Sequence, residues 1–194
     1  MATNPERSAL TRSRLLGVAR TLFAQHGFAS TSTEAILAGA GVQRGALYHH
    51  FADKSALFEA VCIQLVEEAL PCVEVATARA RGALDALERG SIAWIEFVTR
   101  DDVRRILLVD GPTVLGWQRW HQLDDRLSVN ALRAALRDAM ASGEFTFDGD
   151  PELLTTMMNG ALNALALQVG NSVRAIPARQ WHRAVRGFWR SLAR

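Results

Sequence analysis

The segment from residue 31 to residue 51 constrains the fold more than any other part of the chain, because it has the pattern of two short helices joined by a tight turn. Thr31, Ser32 and Thr33 carry hydroxyls that can cap the amide groups at a helix start, so a helix is expected to begin near Thr33. Gly41 can adopt the left-handed conformation that ends a helix. The segment therefore predicts a helix-turn-helix.

The second helix of this pair has an apolar inner face and a polar outer face. Leu47 and Phe51 lie four residues apart, and this spacing places both on the inner face. The residues left on the outer faces are Gln43, Arg44, Gly45, Ala46, Tyr48 and His49. A DNA major groove about 12 Å wide admits one helix, and Arg or Gln side chains can bond base edges there. These residues predict a DNA-reading helix.

A third helix is predicted before the pair, ending at Gly27. Its apolar residues recur at helical spacing and are Leu15, Val18, Ala19, Leu22 and Phe23. Arginines outnumber the single Glu6 before Gly27, and these are Arg7, Arg12, Arg14 and Arg20. They indicate either a local attraction for phosphates or an ordinary solvated helix face.

The first third of the chain, roughly, resembles the N-terminal domain of TetR-family transcriptional regulators. The matching positions are Leu15-Leu16, Phe23, His26-Gly27-Phe28, Thr31, Ile36, Ala40-Gly41-Val42, Gly45, Leu47-Tyr48, His50-Phe51, Lys54 and Leu57-Phe58. The resemblance implies an all-α fold, in which an N-terminal three-helix helix-turn-helix domain is joined by a connecting helix to a C-terminal helical domain. It also implies a ligand-responsive homodimer, usually a repressor, that binds a palindromic operator and is released by a small-molecule inducer. The expected domains are residues 1–54 and residues 55–194.

The resemblance also implies which residues contact DNA. They are Thr31, Thr33, Gln43, Arg44, Gly45, Tyr48, His49, His50 and Lys54. Gln43 and Arg44 are the candidates for reading bases, whereas Thr31, Tyr48, His49 and Lys54 are expected on phosphates. The family often has Ser where this chain has Gln43, so this amide either reads adenine or lies along the backbone. His50 is either a DNA contact or a structural residue.

Enzymatic and metal sites are not expected. Adjacent positions on a helix diverge by about 100°, so His49 and His50 cannot easily share one ion. The sequence contains no Gly-rich phosphate loop, GxSxG, CxxC or HExxH motif, so no catalytic residue or cofactor is predicted. The alternative function is a helical module that binds a small molecule or a protein and no longer uses DNA.

Composition indicates a soluble globular protein. Hydrophobic residues make up 49% of the chain and the mean hydropathy is +0.03, so the chain can bury one or two cores. No apolar stretch reaches membrane-spanning length and the N-terminus lacks an apolar signal region, so a cytoplasmic location with no membrane partner is predicted.

Helices are predicted throughout the rest of the chain. Asp53 can cap a connecting helix, which Pro71 is expected to kink or end. The later helices are predicted at 83–99, 102–109, 113–142, 151–169 and 177–192.

Two sets of apolar residues are candidates for a dimer interface and a ligand pocket. The dimer candidates, which could equally pack within one subunit, are Leu154, Ala161, Leu165, Trp181, Val185 and Phe188. The pocket candidates, which core packing would explain equally well, are Trp94, Phe97, Leu108, Trp117, Trp120, His121, Met157 and Met158. Because charge is scarce near them, an apolar or aromatic inducer is expected.

Overall fold

The computed structural model describes residues 4–124 and 129–192, and its regular elements are helices. They are α1 (Asn4–Ser30), α2 (Thr33–Ala40), α3 (Arg44–His50), α4 (Lys54–Thr77), α5 (Ala83–Val98), α6 (Asp101–Arg104), a π-helical segment (Arg105–Asp110), α7 (Gly111–Asp124), α8 (Asn130–Ala141), α9 (Pro151–Asn171) and α10 (Ala178–Ser191). No β-strand occurs in the described residues, so the all-α prediction is confirmed. None of the helices described has the length and apolar character needed to span a bilayer.

A glycine interrupts two of these helices, and a third contains a proline. Gly27, with φ 78°, interrupts α1 at the position where the sequence predicted its end, and Gly116, with φ 75°, interrupts α7. Pro71 was expected to kink or end α4, and it does not end the helix, which continues to Thr77. Pro71 is exposed, and the lost amide hydrogen bond is outweighed by buried apolar residues in the same helix, such as Ala69.

The predicted helix over residues 113–142 corresponds to α7 and α8. Residues 125–128 of that prediction lie outside the described part of the chain. The chain divides into two compact units. The first contains the described residues up to Leu65 together with residues 101–120, and the second contains residues 66–100 and 121 onward.

The core of the first unit is centred on three aromatic rings. Phe23, Phe28 and Phe58 contact one another with ring centroids 5.2 to 5.8 Å apart. Leu15 and Ile36 are fully buried in the same unit. Edge-on ring pairs of this kind stabilise a core by about 0.5–1.5 kcal/mol beyond the area they bury.

The core of the second unit is formed where α5, α8, α9 and α10 pack together. Trp189 on α10 is fully buried, and its indole N–H donates a hydrogen bond of 3.0 Å to Ser91 Oγ on α5. Arg190, which follows Trp189 in the chain, forms an ion pair of 3.0 Å with the buried Glu88, one turn before Ser91 on α5. The final helix is therefore attached to α5 by polar as well as apolar contacts.

Glu144 caps the N-terminus of α5. Its carboxylate accepts hydrogen bonds from the backbone N–H of Ala83 at 3.0 Å and of Leu84 at 3.1 Å. These two bonds are the main reason why the pKa of Glu144 lies below its ordinary value. Gly82 precedes the helix with φ 138°, and a Cβ at that position would lie 2.8 Å from the Glu144 carboxylate.

Replacing Glu144 by Gln is expected to lower the midpoint of thermal unfolding at neutral pH, because a neutral amide is a weaker acceptor at a helix N-terminus. A folded-state pKa below the unfolded value contributes stability above the unfolded pKa, and this stability is lost as the pH falls through the folded pKa. The midpoint difference between the parent and Glu144→Gln should therefore shrink on acidification. Calorimetry over a pH series measures this difference between the two unfolding midpoints. Glu67→Gln, an identical change at an exposed site on α4, serves as the control. A difference that persists at acid pH would contradict the capping role.

Candidate nucleic-acid interface

Local hydrogen bonds set the two ends of α2 and the turn after it. Ser32 Oγ accepts a hydrogen bond of 3.1 Å from the backbone N–H of Ala35, and α2 begins at Thr33 as predicted. Gly41 has φ 65°, and its N–H donates to the carbonyl of Ala38. Because only a residue that tolerates this left-handed conformation can end the helix here, Gly41 sets the direction in which α3 begins.

Helix α3 is anchored to the core by two apolar side chains. Leu47 is fully buried and Phe51 is almost so, which confirms their predicted inward orientation. The guanidinium of Arg12, on α1, lies 5.4 Å from the centre of the Phe51 ring. The side of α3 away from these anchors is exposed and consists of Gln43, Arg44, Gly45, Tyr48 and His49. This surface can enter a groove without breaking the core contacts.

Arg44 is ion-paired with Glu34 on α2 in the free chain. Both side chains are more than half exposed, so the pair contributes little to folding stability. The pair nevertheless connects the two helices of the motif across the turn. An approaching base edge or phosphate has to compete with Glu34 for the guanidinium.

Lys54 and Thr31 hold together the chain between α1 and α2. The Lys54 ammonium donates hydrogen bonds of 2.9 Å to the carbonyls of Phe28 and Thr31, and it lies 4.1 Å from the centre of the Phe28 ring. The Thr31 hydroxyl donates to the carbonyl of Gly27 at 2.7 Å and lies 3.2 Å from that of Leu22. These contacts satisfy carbonyls that the end of α1 leaves without helical partners.

This geometry corrects the expectation for Thr31. The residue is 2% exposed and its hydroxyl is directed to main-chain carbonyls, so it lacks the surface for the phosphate contact that the resemblance implied. Thr33 is half-buried at the start of α2. Lys54 is also half-buried, and two of its three ammonium hydrogens are already used.

His50 lies at the edge of the exposed surface. Burial lowers its pKa, and the neighbouring His49 and Arg12 lower it further. Its ring is therefore neutral at pH 7 and has a single N–H to donate. Within the described residues, no three side chains of His, Cys, Asp or Glu are placed to bind a metal ion together.

A cavity of about 320 Å³ lies in the second unit, between α4, α5, α8 and α9. Of the predicted pocket residues, only Trp94 lines it. Phe97 and Met158 are buried core residues, Met157 and His121 are exposed, and the other three, Leu108, Trp117 and Trp120, belong to the first unit. The predicted set and the lining of this cavity therefore share one residue, because the prediction selected large aromatic and sulfur-containing residues wherever they occurred.

Small residues, which were not among the predicted pocket residues, line part of this cavity. Gly90 on α5 and Ala131, Ala134 and Ala135 on α8 line it. They create space because their side chains do not fill the gap between helices. Repeated alanine on one side of α8 was the available signal, but alanine is also the commonest residue of ordinary helices.

The predicted dimer residues fall into two groups. Leu154, Trp181 and Val185 are buried within the unit and have little surface left for a second chain, which corrects their selection. Ala161 and Phe188 are exposed, and Leu165 is half-buried.

Comparisons with known proteins identify both parts of the chain. Residues 15–61 match the family described as "Bacterial regulatory proteins, tetR family", and residues 84–192 match "Tetracyclin repressor-like, C-terminal domain". The chain is 45% identical over 60 residues to the transcriptional regulator UidR of Escherichia coli, a match that spans 31% of each chain. It is 30% identical over 175 residues to the transcriptional repressor AcnR of Corynebacterium diphtheriae, covering 86% of each.

The fold is shared with solved structures. A TetR-family transcriptional regulator from Pectobacterium atrosepticum superposes with a TM-score of 0.74 and 26% sequence identity. The superposition covers 98% of this chain and 95% of the other. The similarity therefore extends over both units and not only over the helix-turn-helix.

Replacing Lys54 by Met is expected to destabilise the protein by about 1–3 kcal/mol, because two charge-assisted hydrogen bonds are lost while the aliphatic stem remains. Urea unfolding followed by circular dichroism measures the change. Arg14→Met, which also removes a long cation from an exposed helix position, is the control and should have little effect. Equal stabilities for the two variants would show that the Lys54 contacts do not hold the turn.

Proposed function

The chain belongs to the TetR family of transcriptional regulators, and from this premise we propose that it is a homodimeric repressor that a small molecule releases from a palindromic operator. The family consists of regulators, and the prediction that the chain is not an enzyme is confirmed. The name of the relative AcnR supports repression as the sign of regulation. The match to the transcriptional regulator UidR covers 31% of the chain, so it supports transcriptional regulation without indicating a ligand or the sign of regulation.

The exposed polar surface of α3 is the observation that carries the proposal. Gln43 and Arg44 lie at the start of the helix, where the N-terminal residues of a recognition helix contact base edges. Tyr48, 50% exposed, lies one turn further on and is suited to a phosphate at the groove edge. An exposed tyrosine beside a buried leucine has no role in the core, so DNA contact is the better account of its position.

Selection from a pool of random duplex DNA tests this function. The purified protein is incubated with the pool across a salt series, and the retained DNA is sequenced. We expect a palindrome whose half-sites lie one helical turn apart, about 34–36 Å. Retention without sequence preference, and with a steep dependence on salt, would contradict the assignment of an operator-binding regulator.

Arg44→Ala is expected to weaken operator binding by about 1–3 kcal/mol with loss of preference at one base position, because a base-edge contact is removed. Tyr48→Phe is the comparison variant, and it should weaken binding to all sequences alike if the phenol holds a phosphate. Fluorescence anisotropy at matched salt, on the selected operator and its single-base variants, separates the two effects. Parent-like binding by Arg44→Ala would refute the base-reading role.

Two exposed stripes on α9 and α10 support the proposed dimer. Both combine large apolar residues with small ones that let helices approach closely. The stripe of α9 consists of Leu153, Met157, Gly160, Ala161 and Ala164, and that of α10 consists of Ala184, Gly187 and Phe188. Met157 and Leu153 each keep more than 60% of their surface exposed, which is costly in water. A twofold four-helix contact between two copies would cover both stripes.

Ala161→Arg is expected to convert the dimer to a monomer, because a long charged side chain would replace a methyl group at the centre of the stripe. Sedimentation equilibrium measures the dissociation constant, and operator affinity should fall in parallel. Val75→Arg introduces the same charge at an exposed apolar position of α4 and is the control. A dimer that tolerates Ala161→Arg as well as it tolerates Val75→Arg would move the interface elsewhere.

The segment 101–120, which follows α5, supports a route from ligand binding to DNA binding. Within the first unit, the Asp102 carboxylate pairs with Arg20 at 2.8 Å, and the Asp110 carboxylate accepts a bond of 2.9 Å from the backbone N–H of Phe28. Asp102 therefore holds the middle of α1, and Asp110 holds the backbone near its end. The residues on either side of segment 101–120 belong to the second unit. A shift of α5 on ligand binding would reach the DNA-reading helices through this segment.

A further inference from the structure

The cavity of the second unit has walls suited to an aliphatic or aromatic body. Its volume of about 320 Å³ is within the range of small-molecule sites. Most of the lining consists of apolar side chains, including Leu70, Val73, Leu87, Leu132, Leu162 and Trp94. An apolar group entering it would bury surface against these side chains, and this supplies the general affinity of the site.

The charged residues described in the lining have the same sign. Among the described lining residues, Glu74 on α4 and Asp138 on α8 are the ionisable ones. Both residues are exposed. The arginines Arg133 and Arg137 of α8 form ion pairs with Glu152 at 2.7 and 2.9 Å.

A chain of hydrogen bonds lies behind the wall. Trp94 donates its indole N–H to Asn163 at 3.0 Å, and the amide of Asn159, a lining residue, donates to the buried Asp124 at 2.7 Å. Asn163 in turn approaches Asn159 at 3.4 Å. The chain fixes the indole as a wall and ends on the Asp124 carboxylate. The two lining carboxylates, Glu74 and Asp138, favour a positive charge in the cavity over a negative one.

We propose that this cavity binds a hydrophobic amine, with the apolar body between α5, α8 and α9 and the protonated nitrogen at the Glu74 and Asp138 carboxylates. The proposal rests on the proposed function, since it names the chemical class of the inducer. Charge complementarity distinguishes this occupant from the other apolar classes. A fatty acid would bring a carboxylate to two others, and a neutral alcohol would gain no ionic attraction.

Isothermal titration of the full-length protein with n-octylamine, n-octanol and n-octanoate tests the proposal, because the three probes share one alkyl chain and differ in charge. The expected order of affinity is amine, then alcohol, then carboxylate. Equal or tighter binding of octanoate, or no binding of any probe, would overturn the proposal. The measurement needs no DNA, so its result is independent of whether an operator is found.

Variants that remove one carboxylate charge test where the protonated nitrogen of the ligand binds. Asp138→Asn and Glu74→Gln should each weaken octylamine binding by up to about fivefold, as expected for one partly exposed ion pair, and leave octanol binding unchanged. Asp148→Asn, an exposed acid in the loop before α9, is the matched control and should have no effect. A loss of amine preference in the control, or its retention when Glu74 and Asp138 are both replaced, would overturn the assignment.

A variant that fills the cavity tests the location of the apolar body. Ala135→Leu should abolish binding of both octylamine and octanol while thermal unfolding remains cooperative. Gly90→Ala is the milder second variant, because its added methyl would lie 3.4 Å from Thr77 Cγ2 and 3.6 Å from Val73 Cγ1, in ordinary contact. Parent-like affinity in a folded Ala135→Leu protein would place the ligand outside this cavity.

Discussion

The orientation of the recognition helix depends on how the chain leaves α1. Helix termini expose carbonyl groups that require partners, and here the Lys54 ammonium and the Thr31 hydroxyl supply them. The same ammonium lies against the ring of Phe28, one of the three aromatic residues of the core. The start of α4 is thereby bound to the end of α1, and α2 and α3 are confined to the path between them. Lys54, which the family resemblance implied to be a DNA contact, therefore has a structural role between α1 and α4.

The helix-turn-helix was predictable because its signals are local. Ser32 and Gly41 act through their own backbone geometry, so the limits of α2 follow from residue type alone. The inward orientation of Leu47 and Phe51 followed from helical spacing. Of the two outcomes expected at Pro71, a kink or an end, the helix does not end there, because the cost of proline is local whereas the packing that retains the helix is tertiary. The burial of Thr31 is likewise tertiary. The Gly27 carbonyl lies at the i−4 spacing typical of a Thr hydroxyl, but the 2% exposure of the residue does not follow from that spacing.

The second unit was less predictable because a cavity is a property of several helices at once. Aromatic and sulfur-containing side chains are conspicuous in a sequence, yet Phe97 and Met158 fill the core while Gly90 and the alanines of α8 form the empty space. Residue type also could not assign Leu108, Trp117 and Trp120, which belong to the first unit although they follow α5 in the chain. The exposed stripe of α9 differs from the buried one by a rotation of the helix, and a sequence in which both stripes are apolar does not distinguish them.

The pairing of Arg44 with Glu34 has a consequence for how such a protein searches a genome. Random DNA attracts a protein through its phosphates, and each uncompensated cation lengthens the time spent at sites that carry no information. A guanidinium already neutralised by a neighbouring carboxylate adds little to that attraction. If Arg44 contacts DNA as proposed, acceptors of the groove have to replace Glu34 as its partner, and the exposure of the pair keeps the cost of this replacement small. The acid would therefore weaken the attraction to random DNA while leaving the arginine available at the operator.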